Sequence, residues 1–131
     1  MTGIASATFR KRERIVSRKL IEQLFIKDNS HSTTAFPIRT VYMENDSEEG
    51  KEPVQVLISV SKRHFKRAVK RNRVKRQIRE AYRRNKQVLT DKMQEGKSMS
   101  IAFIWLADRL YESQQVERCV RQLLEKIADR V

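Results

Sequence analysis

The stretch VQVLISVSKRHFKRAVKRNRVKRQIREAYRR, residues 54–84, changes its period in the middle. Its first eight residues alternate, so Val54, Val56, Ile58 and Val60 fall on one side of an extended chain and Gln55, Leu57, Ser59 and Ser61 on the other. The second side is too polar to be a second core and is expected to face solvent or a ligand. Further on, the apolar positions recur at helical spacing. At about 100° per residue, Val74, Ile78, Ala81 and Tyr82 gather on one side. Asn72, Arg76, Arg79 and Arg83 line the side opposite, flanked by Lys75 and Lys86. No Pro or Gly interrupts residues 65–95, which predicts one helix of several turns, pinned by its apolar stripe.

Outward from this stretch the chain supplies partners for that stripe. AFPIRTVYM, residues 35–43, alternates with Phe36, Ile38, Thr40 and Tyr42 on one side and Pro37, Arg39, Val41 and Met43 on the other. Pro37 lacks a ladder donor, which places this strand at a sheet edge or its first residues outside the pairing. ENDSEEGKEP, residues 44–53, reads as a solvated hairpin loop, because nothing fixes its acids in metal-binding geometry. SMSIAFIWL, residues 98–106, reads as a buried strand, apolar on both sides from Ile101 to Leu106. Ser113 opens a final helix striped by Val116, Val120, Leu123, Leu124 and Ile127. Upstream, residues 1–8 read as a tail, and Ser17 caps a short amphipathic helix carrying Leu20, Ile21, Leu24 and Phe25 that stops at Asp28-Asn29-Ser30. The expected order is helix, strand, strand, helix, strand, helix in a single domain of 131 residues.

The net charge of +13 is local. Residues 62–86 hold thirteen Lys or Arg against Glu80 alone, and residues 10–19 hold six against Glu13, so the remainder of the chain stands at −4. Two basic runs on a mildly acidic background are what two patches facing one polyanion require. Arginine suits that partner because its planar fork binds phosphate in a bidentate way and stacks on bases. Asn72, within the row, adds a donor and an acceptor. A merely solvated face would be expected to carry acids at i,i+4, and here they are nearly lacking.

Other chemistry is poorly supported. Cys119 is the only cysteine, so no internal disulfide forms, and no Cys/His set has zinc spacing. No paired-carboxylate, Ser/His/Asp or Cys/His arrangement stands out, and His64 reads as a phosphate contact or surface residue. No apolar run approaches the roughly 20 residues of a membrane span, and the first residues lack a signal peptide's apolar core. A reducing, cytoplasmic setting is expected.

The run SVSKRHFKRAVKRNRVKRQIREAYRR, residues 59–84, resembles the signature of the bacterial ribonuclease P protein subunit, centred on Arg71-Asn72-Arg73. The likeness extends to the basic segment before the first helix and to the late apolar strand before the terminal helix. One departure is the connection RHFKRAV, where the family commonly has a glycine-containing turn. The resemblance implies a two-layer α/β sandwich of α+β class, with a four-stranded sheet and a left-handed βαβ crossover. It implies an accessory protein without catalytic side chains, serving a catalytic RNA that removes the 5′ leader of precursor tRNA. Mg2+ would be held mainly by RNA and substrate, with no protein metal site and no obligate protein partner. Carried over, RNA contact falls to Lys62, Arg63, Lys70, Arg71, Asn72, Arg73, Lys75, Arg76, Arg79 and Arg83. A leader cleft between the first helix and the sheet takes Ile21, Phe25, Arg39, Leu57, Ser59 and Ser61, with Phe25 open between base stacking and packing.

Three rivals remain on the residues alone. A ribosomal or other structured-RNA-binding protein could share a sheet and a basic helix. A basic-helix dimer on DNA would need leucine heptads after Lys86, and a self-sufficient nuclease would need clustered carboxylates; neither pattern is present.

Overall fold

The computed structural model describes residues 30–46 and 53–131. Four strands form one sheet: β1 (His31–Ala35), β2 (Ile38–Asp46), β3 (Val54–Ser59) and β4 (Lys97–Trp105), in the order β1-β2-β4-β3. Three helices accompany them: α1 (Ala68–Asn85), α2 (Gln87–Thr90) and α3 (Ser113–Ala128). The helix expected around Ser17, Ile21 and Phe25 lies outside the described residues. Among those described, no helix is long and apolar enough to cross a membrane.

The mixed α+β sheet-and-helix architecture is as expected, with two local corrections. Residues 35–43 are not one strand. Ala35 ends β1, Phe36 and Pro37 make a two-residue turn with a cis bond between them, and Ile38 opens β2, with Ala35 opposite Ile38 in the antiparallel register. Phe36 therefore leaves the face of Ile38, Thr40 and Tyr42: those three are buried, while Phe36 is 67% exposed. Residues 44–53 do not join a hairpin. β2 pairs antiparallel with β4, Ile38 opposite Trp105, and β3 pairs parallel with β4, Val54 beside Met99. The late strand inserts between its two predecessors because its two apolar faces demand cover on both sides, which an edge position would not provide.

The parallel pair needs a crossover, and α1 with α2 supplies it. One sheet face carries Ile38, Tyr42, Val56, Ile101, Phe103 and Trp105. Against it pack Val74, Ile78, Ala81 and Tyr82 of α1 and Val116, Val120, Leu123, Leu124 and Ile127 of α3, all buried. The predicted stripes of both helices are thus the core. α1 lies beside α3 and touches β3, whereas α3 touches β1 and β2. The other sheet face holds a smaller cluster: Val41, Met43 and Ala102 are buried, with Leu57 and Ile104 partly so.

Candidate nucleic-acid interface

β3 runs into α1 through a tight turn. Ser61 O accepts the N–H groups of His64 (3.1 Å) and Phe65 (3.4 Å), and Ser61 Oγ accepts from the N–H of Arg63 (3.1 Å). Phe65 is buried, which anchors the turn and leaves Lys62 and Arg63 exposed at its tip. His64, expected as a phosphate contact or surface residue, sets its Nδ1 2.6 Å from Asp108 Oδ1 at the surface, tying this turn to the loop after β4. No glycine is used in this connection.

α1 begins in an electrostatically unfavourable way. Arg67 is its N-cap without a side-chain capping bond, and no acid occupies the first turn. The positive end of the helix dipole therefore coincides with Arg67, Lys70 and Arg71, a concentration of like sign that an anion would relieve. Arg71 partly compensates: its Nη1 donates to the carbonyls of Phe65 and Lys66, both at 2.8 Å. The first arginine of the Arg-Asn-Arg motif thus holds the turn to the helix, a role that spacing alone could not indicate. Lys70, Asn72, Arg73 and Arg76 are exposed, and Lys75 and Arg79 are half-buried.

The far end of the row is different. Arg83 donates through Nε (3.1 Å) and Nη2 to the Glu80 carboxylate, and Arg84 Nε lies 3.4 Å from the same group. These bonds, that to Arg83 first, hold the Glu80 carboxyl below its ordinary range and push Arg83 up. Arg83 is therefore committed to a neighbouring acid. In sequence, ten Lys or Arg occur from Lys62 to Arg79 with no Asp or Glu between them.

The second candidate surface is the sheet face away from α1 and α3. The registers set Thr34, Arg39, Ile104 and Ser59 in one row and Ser32, Val41, Ala102 and Leu57 in the next. Arg39, Leu57 and Ser59 thus share one face, as expected, and Arg39 Nε donates to Ser32 Oγ at 3.1 Å. The expectation of a largely polar face needs amending. Leu57 borders the buried Val41, Met43 and Ala102, so the face is an aliphatic floor edged by Arg39 and Ser59. Val41 and Met43 belong to it; their alternation with Thr40 and Tyr42 was the available signal. Ser61 lies past the end of β3 in the turn, and Ile21 and Phe25 fall outside the described residues.

Comparison with known proteins places these surfaces in context. A model of the ribonuclease P family matches residues 9–128. The chain is 40% identical over 132 residues to the ribonuclease P protein component of Porphyromonas gingivalis, covering 100% of this chain and 94% of that one. It is 33% identical to that of Chlorobium phaeobacteroides over 115 residues, covering 83% and 79%. In fold it is similar to the ribonuclease P protein of Thermotoga maritima (TM-score 0.65, 22% identity, covering 86% of this chain and 96% of that one). The Staphylococcus aureus protein is equally close in fold (TM-score 0.65, 23% identity, 88% and 94%).

Proposed function

The chain belongs to the ribonuclease P protein family, and from that premise we propose that it grips the catalytic RNA along α1 and the 5′ leader of precursor tRNA along the opposite sheet face. The matched relatives are ribonuclease P protein components, which supports this subunit over a ribosomal protein.

The single observation that carries the proposal is the acid-free run from Lys62 to Arg79, which spans the turn and the exposed side of a helix whose opposite side is locked in the core. Residues three or four apart on a helix lie about 5–6 Å from one another, so Asn72, Arg76 and Arg79 present a ladder that a folded phosphate backbone can follow. Binding releases condensed counterions and relieves the repulsion among the cations themselves. Arg73, Lys70, Lys62 and Arg63 widen the contact, while Arg71 positions the ladder.

On the other face, the half-buried Leu57 and Ile104, packed over the buried Val41 and Ala102, offer apolar contact for unpaired bases, and Arg39 offers a phosphate contact at its margin. The two surfaces divide the work: one holds the RNA subunit, the other distinguishes precursor from mature tRNA. Hydrolysis is assigned to the RNA. Magnesium, a hard cation that favours phosphate oxygens and retained waters, is assigned to RNA and substrate.

Reconstitution tests this reading. With the catalytic RNA at low magnesium, the chain should accelerate leader removal, and Arg39→Ala should weaken binding of precursor more than of mature tRNA. No acceleration would contradict the subunit role; equal losses would contradict the leader surface.

A further inference from the structure

The turn between β1 and β2 carries an exposed aromatic ring on an anchored backbone. Phe36 is 67% exposed, yet both its neighbours are fixed. Ala35 O accepts from Cys119 Sγ (2.8 Å), and Pro37 O accepts from the Leu106 N–H (2.8 Å). Beside the ring opens a cavity of about 240 Å³ lined by Phe36, Pro37, Tyr111, Gln115, Arg118, Cys119 and Gln122. α3, which forms one wall, touches β1 and β2, whereas α1 touches β3 at the other end of the sheet. None of the ladder residues and none of the aliphatic sheet-face residues lines the cavity, although Gln77 of α1 donates to the carbonyl of its wall residue Tyr111 (3.0 Å).

We propose that this cavity holds one unpaired nucleobase, stacked on Phe36 with its phosphate on Arg118. The volume is below the range of drug-sized ligand sites, about 300–1,000 Å³, and suits a flat group of one or two rings. The lining supplies what single-stranded RNA recognition needs: a π face, amide edges and a guanidinium. Gln115 Oε1 already accepts from the Glu112 N–H (3.1 Å), which leaves its NH2 to donate. Arg118 is exposed and has no acidic partner among the described residues. Tyr111 packs edge-on to Trp105 (centroids 5.5 Å apart) with the Arg109 guanidinium 4.1 Å above its ring, so its ring is engaged from two sides in this wall. Burial pushes the Cys119 thiol up to about 11, which keeps it in the weakly nucleophilic protonated form. A fixed platform binds without first ordering a loop, which favours affinity.

The inference rests on the RNA partnership proposed above. Its test is ultraviolet crosslinking of the full chain bound to the catalytic RNA, with and without precursor tRNA, followed by peptide mapping. An adduct on the Phe36 peptide is expected. It forms in both arms if the base belongs to the catalytic RNA, and only with precursor if the base belongs to the substrate. Phe36→Ala, which leaves the core intact, should weaken binding of that RNA about tenfold, and Phe36→Tyr should retain it. Arg118→Ala should lower the salt slope by about 1. Adducts on α1 peptides with none at Phe36, or unchanged affinity of Phe36→Ala, overturn the nucleobase site alone. Variants that alter only a protein association overturn it in favour of a protein partner. Absence of adducts at both places overturns it together with the RNA-subunit reading.

Discussion

Two arginines separated by one residue do different work. Arg71 is turned back onto the carbonyls of Phe65 and Lys66, while Arg73 is exposed. Arg71→Ala removes two charge-assisted bonds and should lower unfolding stability without RNA by about 1–3 kcal/mol, measured by denaturant titration. Arg73→Ala should leave the denaturation midpoint in place and weaken RNA binding. Equal stability losses would refute this division. Glu80 sets a second contrast. Its carboxyl is held below the ordinary value of 4.5 chiefly by the Arg83 hydrogen bond. The unfolded state therefore takes up the proton first as pH falls. The pair's contribution is complete above about pH 4.5 and disappears as pH falls through the lowered folded value. Both side chains are solvated, so Glu80→Gln should change neutral-pH stability little. Denaturant titration of Glu80→Gln at neutral pH checks this; a large loss of stability would contradict it.

At the scale of elements, α1 is a cationic ridge that the apolar core has to hold in place. Ile78 is fully buried against that core, and Ile78→Ala should cost about 2–5 kcal/mol. Because the ridge is displayed by docking, RNA affinity should fall only as the folded fraction falls; thermal melts run beside binding curves separate the two. α1 and α3 were legible from sequence because stripes at helical spacing are local and strong. β1 was not: His31, Ser32 and Thr34 are exposed polar residues that give no alternating apolar signal, and Pro37 read as part of a strand rather than as its turn. Strand order was equally hidden. Residues 44–53 have hairpin composition, whereas the parallel pairing of β3 with β4 depends on contacts far apart in sequence. The fourth strand came from family resemblance, not from periodicity.

Across the whole molecule, charge and apolar surface are segregated. Core stripes face inward, cations crowd the turn and start of α1, and a second aliphatic patch covers the reverse of the sheet. The basic face was legible because charge density is a property of sequence. The structural task of Arg71, the pairing of His64 with Asp108 and the Phe36 cavity were not, since each joins residues whose proximity only folding creates. The central claim is that the exposed side of α1 binds phosphates of the catalytic RNA. Affinity for that RNA, measured against salt for the unaltered chain and for the double variant Arg76→Ala with Arg79→Ala, tests it most directly. The account predicts weaker binding and a salt slope shallower by about 1 per lost contact. Parallel lines of identical affinity would contradict it.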